Sequence, residues 1–408
     1  MPSSALGLLA PIASFTELGV PDALLQVLHR RGITEPLPVQ AAIIPDALAG
    51  RDVSGMAPTG SGKTLAFALP MAAMVARGLP RRPRGLVLAP TRELASQIAG
   101  ELVPFLATRN LRAHAIFGGV AFNPQRRALQ RGVDVVVACP GRLEDLMRMG
   151  EVVLSDVDIV VVDEADRMAD MGFLPAVRRI LDATSARRQT MLFSATLDDA
   201  AVRPLVRNYQ RQPVRHEVVS TVEEIGRATH RFRSVAASER AAACAEVVKG
   251  EASTIVFVRT KHGADRLARQ LGNSGLAVAA IHGGHSQPQR DRTLAAFRAG
   301  KVRALVATDV AARGVHVDDV SCVVHYDLPP DPKDYLHRSG RTARAGAAGS
   351  VVAFVSPDQR QAAAALARAL DLDVGTPRDT SPVPMRHDGS PAPLRRDRPK
   401  RRRAPYTS

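Results

Sequence analysis

The sequence predicts an α/β protein of two tandem domains, each a parallel sheet covered on both faces by helices, with a disordered basic tail. Three observations carry this. At 408 residues the chain exceeds what one ordinary hydrophobic core holds. Short β-branched apolar runs, bounded by turn residues, alternate with helix-like stretches, as expected of strands buried on both faces. The pattern breaks once, at the polar STVEEIGR (220–227), and then resumes. The expected division is therefore 1–218, 227–372 and a tail over 373–408.

Residues 21–31 and 38–49 read as helices, each with proline near its start. A turn-rich connection, GITEPLPVQ (32–40), joins them. An apolar segment ending in SGMA then runs into Ala57-Pro58-Thr59-Gly60-Ser61-Gly62-Lys63-Thr64 and the helix-like LAFALPMAAMVA (65–76). A strand, a glycine turn and a helix start in that order form a phosphate cradle, because free backbone N–H groups there point at an anion. Gly60 and Gly62 allow close approach, Lys63 reaches β/γ-phosphates, and the Thr64 hydroxyl suits Mg2+. The usual template opens with glycine where this chain has Ala57.

Strand candidates follow at 84–90, 113–119, 133–140, 157–166 and 187–196. The second series is STIVFVRT (253–260), LAVAAIHGG (276–284), VRALVATDV (302–310), VSCVVHYDLP (320–329) and GSVVAFVS (349–356). The run at 157–166 ends in Asp163-Glu164-Ala165-Asp166. Acids at the carboxyl end of a parallel strand sit where such sheets bind ligands. Nucleotide hydrolysis needs a carboxylate on the metal and a group that positions water, roles that suit Asp163 and Glu164 respectively.

With 45% hydrophobic and 23% charged residues the composition is that of a globular protein, and no apolar run spans a bilayer. The N-terminal ALGLLAPIA lacks a basic lead, so no signal peptide is expected. Cys139, Cys244 and Cys322 show no metal spacing and read as reduced thiols in a cytoplasmic chain. A net charge of +15 points to a polyanionic partner, although the arginine-rich, alanine-rich bias is also what a GC-rich coding genome produces. Within 376–408, nine Lys/Arg stand against three Asp, and RPKRRR (398–403) could add non-specific phosphate contacts.

APTGSGKT, PTREL (90–94), DEAD (163–166), SAT (194–196), ATDVAARG (307–314) and HRSGRTARAG (337–346) occur in that order. Together they resemble the DEAD-box ATP-dependent RNA helicases, of the bacterial type, from about Phe15 to Gly346. The resemblance implies two RecA-like domains that use ATP and Mg2+. It implies that Gln40 reads adenine with Phe15 packed on the base, while residues 57–64 hold the phosphates. Within that glutamine motif Leu37 stands where the family usually has threonine, and Thr64 and Asp163 would hold Mg2+. Ser194 and Thr196 would couple hydrolysis to strand separation by hydrogen-bonding the DEAD carboxylates. Arg341 and Arg344, one helical turn apart, would be arginine fingers, and His337 would link to the DEAD region.

RNA contacts are implied for Pro90, Thr91, Arg92, Gly119, Pro140, Gly141 and Arg142 in the first domain. In the second they are implied for Arg259, Thr260, Gln287, Arg290 and Thr308. Glycines, hydroxyls and arginines suit sugar–phosphate contacts, and aromatics at 4% argue against base stacking. Two departures stand out. Cys139 replaces a threonine, and His316 replaces an aspartate expected on the ATP ribose, which weakens nucleotide-dependent closure. The implied activity is RNA-dependent ATP hydrolysis that unwinds short duplexes or remodels RNA–protein complexes. An ATP-dependent clamp or annealing scaffold is the alternative, and a DNA helicase a third. A monomer with ribosomal or RNA-decay partners and no membrane association is expected.

Overall fold

The computed structural model describes residues 14–57, 61–197, 199–217, 228–308, 320–329, 331–343 and 349–372. The divisions expected at 218, 227 and 373, and the basic tail, lie outside the described residues.

In the first lobe α1 (Asp22–Arg30) and α2 (Pro38–Leu48) precede β1 (Val53–Met56) and α3 (Lys63–Met74). There follow β2 (Gly85–Leu88), α4 (Arg92–Ala107), β3 (Ala113–Ile116), α5 (Phe122–Arg131), β4 (Val135–Ala138) and α6 (Pro140–Arg148). Then come β5 (Ile159–Val162), α7 (Ala165–Asp170), α8 (Leu174–Asp182), β6 (Gln189–Ser194), α9 (Arg203–Tyr209) and β7 (Val214–Glu217). The seven strands pair in parallel in the order β3-β4-β2-β5-β6-β1-β7.

The second lobe runs β8 (Ala228–Ser234), α10 (Arg240–Gly250), β9 (Thr254–Val258), α11 (Lys261–Asn273), β10 (Val278–Ile281) and α12 (Gln287–Arg298). It continues through β11 (Ala304–Thr308), β12 (Cys322–His325), α13 (Pro332–Ser339), β13 (Gly349–Val355) and α14 (Arg360–Ala369). Its six strands are also parallel, in the order β10-β11-β9-β12-β13-β8.

Strict alternation along each strand builds two cores per sheet. On one face of the first sheet Val87, Val135, Val137, Val161, Met191 and Phe193 meet α2, α3 and α4. Leu86, Leu88, Val136, Val160, Val162 and Leu192 face the other way, onto α6 and α8. The second sheet repeats the device, with Ile255, Phe257, Leu305 and Val323 on one side and Val256, Val258, Val306 and Val324 on the other. A run apolar on every residue is thus the sign of a strand covered twice. The edges β7 (VRHE) and β8 (ATHRFRS) lack that sign, since each turns charges outward along the ladder. No helix among the described residues is long and apolar enough to cross a membrane.

Candidate active site and nucleic-acid interface

Neighbouring strands β5, β6 and β1 deliver three motifs to one rim, with Met56 opposite Ser194 in register and Val162 opposite Leu192. Beyond β1 the chain turns at Gly62, whose φ of 91° is left-handed, and enters α3 at Lys63. A side chain at Gly62 would be strained by that angle, and its Cβ would lie 2.6 Å from Gln40 Nε2 and from Leu37 Cδ1. Lys63 is buried and donates from Nζ to the Ala57 carbonyl at 2.6 Å. Ser61 and Thr64 are half-buried. Pro58, Thr59 and Gly60 lie outside the described residues.

Gln40 is buried at the start of α2. Its Nε2 donates to the Gly62 carbonyl at 3.1 Å, and its Oε1 accepts from the Leu37 N–H at 2.9 Å. The glutamine expected to read a base thus also braces the phosphate turn. Phe15, expected beside the base, is only 3% exposed and belongs to the first core, so here it is an anchor for α1 and α2.

Asp163 ends β5 fully enclosed. Burial raises its carboxyl to about 7, the Lys63 cation opposes the rise, and the Glu164 carboxylate adds to it. Its Oδ1 accepts the Glu164 N–H at 2.9 Å. Glu164 itself has φ 52°, ψ 52°, a left-handed backbone that costs a non-glycine residue about 1–2 kcal/mol. That turn starts α7, which places Arg167 so that its Nη1 donates to Glu164 Oε2 at 2.6 Å, both side chains being buried. Sequence reasoning passed over Arg167, although its i+3 spacing from Glu164 on a helix start was the signal available.

The SAT hydroxyls are placed differently from expectation. Ser194 Oγ accepts the backbone N–H of Asp166 at 3.3 Å and donates to the Thr196 carbonyl at 2.9 Å, rather than meeting a carboxylate. Thr196 Oγ1 is buried and makes no hydrogen bond among the described residues. The Asp166 amide comes within reach of Ser194 because α7 packs against β6.

On the proposed RNA side of the first lobe, Thr91 caps α4 by accepting the Leu94 N–H at 3.4 Å. Arg92 lies across Gly119, where an added Cβ would fall 2.0 Å from Nη1, so PTREL and the glycine pair are in direct contact. Pro140 is buried and Gly141 exposed. Arg142 is buried rather than presented to solvent. Its guanidinium stacks 3.8 Å from the Phe122 ring centroid and donates to the Val120 carbonyl at 3.0 Å. Burial of the Cys139 thiol pushes it up to about 12, and as the residue before α6 it makes no capping bond.

In the second lobe Thr260 caps α11 through the Gly263 N–H at 3.0 Å, and Arg259 beside it is exposed. Thr308, at the end of β11, lies opposite Val258 and shares that rim. Gln287 and Arg290 point elsewhere. Glu93 of PTREL accepts from Gln287 Nε2 at 3.2 Å and pairs with Arg290 Nη1 at 3.0 Å, in an almost dry contact between the lobes. Nothing local in the sequence signals the role of Glu93, because its partners are some 200 residues away.

Arg341 is buried in the turn after α13, which ends at Ser339. Ala343, with φ 57°, has a left-handed backbone, so the described chain after α13 is a turn rather than a helix continuing through 341–343. Arg344 and His316 lie outside the described residues, as does the side chain of His337.

The first lobe matches the DEAD/DEAH box helicase model over residues 37–203, and the second matches the helicase conserved C-terminal domain over 239–346. Among curated proteins, DEAD-box ATP-dependent RNA helicase 30 of Arabidopsis thaliana is 41% identical over 88% of this chain and 62% of its own length. Helicase 20 of the same plant is 41% identical over 84% of this chain and 70% of its own. The chain thus spans about half to two thirds of most such relatives, which come from plants and a yeast rather than from bacteria. Among solved structures, S. cerevisiae Dbp5 bound to RNA and ADP BeF3 superimposes with a TM-score of 0.78 at 30% identity, covering 88% of this chain and 93% of that one. Two RecA-like lobes carrying these motifs at these positions make the chain a member of the DEAD-box family of ATP-dependent RNA helicases.

Proposed function

We propose that the chain is an RNA-dependent ATPase that grips RNA by its backbone and separates short duplexes locally. The observation that carries this is the rim of β5, β6 and β1, where Lys63, Asp163 and Glu164 are buried within electrostatic reach of one another. In the reaction Lys63 exchanges the Ala57 carbonyl for β/γ-phosphate oxygens, and Glu164 orients the attacking water. The Thr64 hydroxyl and Asp163 carboxylate are hard oxygen donors that would hold Mg2+, which would supply positive charge against the phosphates. Arg341 and Arg344 supply positive charge from the second lobe to the transition state. Thr91, Arg92, Gly119, Arg259, Thr260 and Thr308 hold sugar and phosphate, leaving sequence unread. Dbp5, solved with RNA and a nucleotide analogue, supports the reading by analogy.

A second reading, an ATP-dependent clamp with little unwinding, is favoured by the Glu164–Arg167 pair, which occupies the water-positioning carboxylate. A cytoplasmic monomer with ribosomal or RNA-decay proteins as partners is part of the proposal, while the narrower bacterial type draws no support from the relatives. The test is ATP turnover without nucleic acid, with RNA and with matched DNA. RNA alone should stimulate strongly, and Lys63→Ala should lower turnover by about 10²-fold or more. Equal stimulation by DNA would overturn the RNA assignment, and RNA binding without turnover would favour the clamp.

A further inference from the structure

Three elements of the second lobe converge on a cluster that the ATPase reading does not use. Asp265 projects from the second turn of α11, His282 follows β10, and His285 lies in the loop entering α12. One ligand atom from each falls within 4.8 Å of the other two. Asp265 Oδ1 is 2.9 Å from His282 Nε2 and 3.8 Å from His285 Nε2. These values bracket the separation of about 3.4 Å between ligands at tetrahedral angles around an ion with bonds of about 2.1 Å. The two imidazoles lie with centroids 3.8 Å apart, tilted 37° to one another, and His285 Nδ1 is buried with no hydrogen-bond partner among the described residues.

We propose that Asp265, His282 and His285 form a binding site for a divalent transition-metal ion of the zinc, cobalt or nickel class. Two imidazoles and one carboxylate suit such borderline ions and disfavour Mg2+ or Ca2+, which take oxygen. The Asp265 side chain is 43% exposed and that of His285 25%, so remaining coordination positions face water. Without an ion, His282 Nδ1 accepts the Gly284 N–H at 3.2 Å and its Nε2–H donates to Asp265. On binding, that proton moves to Nδ1 and the Gly284 bond is given up, so no proton is lost from the ring. The loop held this way leads straight into Ser286, the cap of α12, and on to Gln287 and Arg290 at the Glu93 contact. The ion would therefore stiffen the second lobe where it meets the first.

Calorimetric titration of the full chain with Zn2+, free of nucleotide, tests the site, with Co2+ absorption reporting ligand geometry. Wild type should take one ion here, and His285→Ala and Asp265→Asn should each weaken binding at least about tenfold. His262→Ala, an exposed histidine on α11 outside the cluster, should leave binding unchanged. Wild-type affinity in both cluster variants, equal weakening by His262→Ala, or no ion bound by wild type would overturn the proposal. Melting curves establish that each variant is folded, and if His285→Ala is not, Asp265→Asn decides.

Discussion

At the carboxyl rim of the first sheet Lys63, Asp163, Glu164 and Arg167 are all buried, whereas the matching rim of the second presents Arg259 and Thr260 to water. Both lobes use the same parallel sheet with two apolar faces, so the difference lies in where charge is placed. Buried charges cost stability unless paired. In the first lobe they meet one another at short range, with Lys63 on a carbonyl and Glu164 on Arg167. Lys63 also lies close enough to Asp163 for its charge to oppose the rise of that carboxyl's pKa. Exposed groups in the second lobe need no such partner and suit a ligand that slides in from solvent.

The largest expected effect follows from Asp163. Its folded pKa is raised from 3.8 to about 7 by burial, so between those values the native state holds a proton that the unfolded chain has released. Its contribution to stability is therefore present at low pH and lost as pH rises through about 7. Denaturant titrations at pH 4.5 and pH 8 should show Asp163→Asn gaining on wild type at the higher pH. Parallel curves would mean that the first lobe is not burdened by its buried charge. Next comes Gly62→Ala, expected to lower stability by about 1–3 kcal/mol from its left-handed φ and its approach to Gln40, read as a drop in Tm. A smaller effect, about 1–2 kcal/mol of coupling, is expected between Glu93→Ala and Arg290→Ala in a double-mutant cycle on unfolding. Additive losses would show that the lobes do not hold one another through this pair.

The smallest prediction compares three helix starts. Thr91 and Thr260 each cap their helix, while Cys139, in the same place directly before α6, does not. Cys139→Thr should stabilise the first lobe by about 0.5–1 kcal/mol, measured by chemical denaturation. No gain would show that burial of the added hydroxyl outweighs the cap.

The sequence made legible whatever repeats locally. Strands such as VVVA and IVVV declare themselves because both faces are covered, and APTGSGKT and DEAD because backbone turns and acids fall at strand ends. The edges β7 and β8 were missed because half their side chains face water and read as loop. Arg142 and Phe15 carry the right residue type for a ligand contact but are committed to packing, which only three-dimensional neighbours reveal. Glu93 was invisible for the same reason, its partners being distant in the chain.

Strand β7 ends at Glu217, paired with Met56 one residue before the phosphate turn begins at Ala57. The backbone that continues toward the second lobe therefore leaves from beside the strand that feeds that turn. Any pull between the lobes along the chain would load β7 against β1 lengthwise, in shear, over the paired residues Val53–Met56 and Val214–Glu217. Parallel strands resist shear by straining all their hydrogen bonds together rather than one at a time. Among the described ladders, the first to carry tension arriving along the chain after Glu217 is thus the one that feeds the phosphate turn.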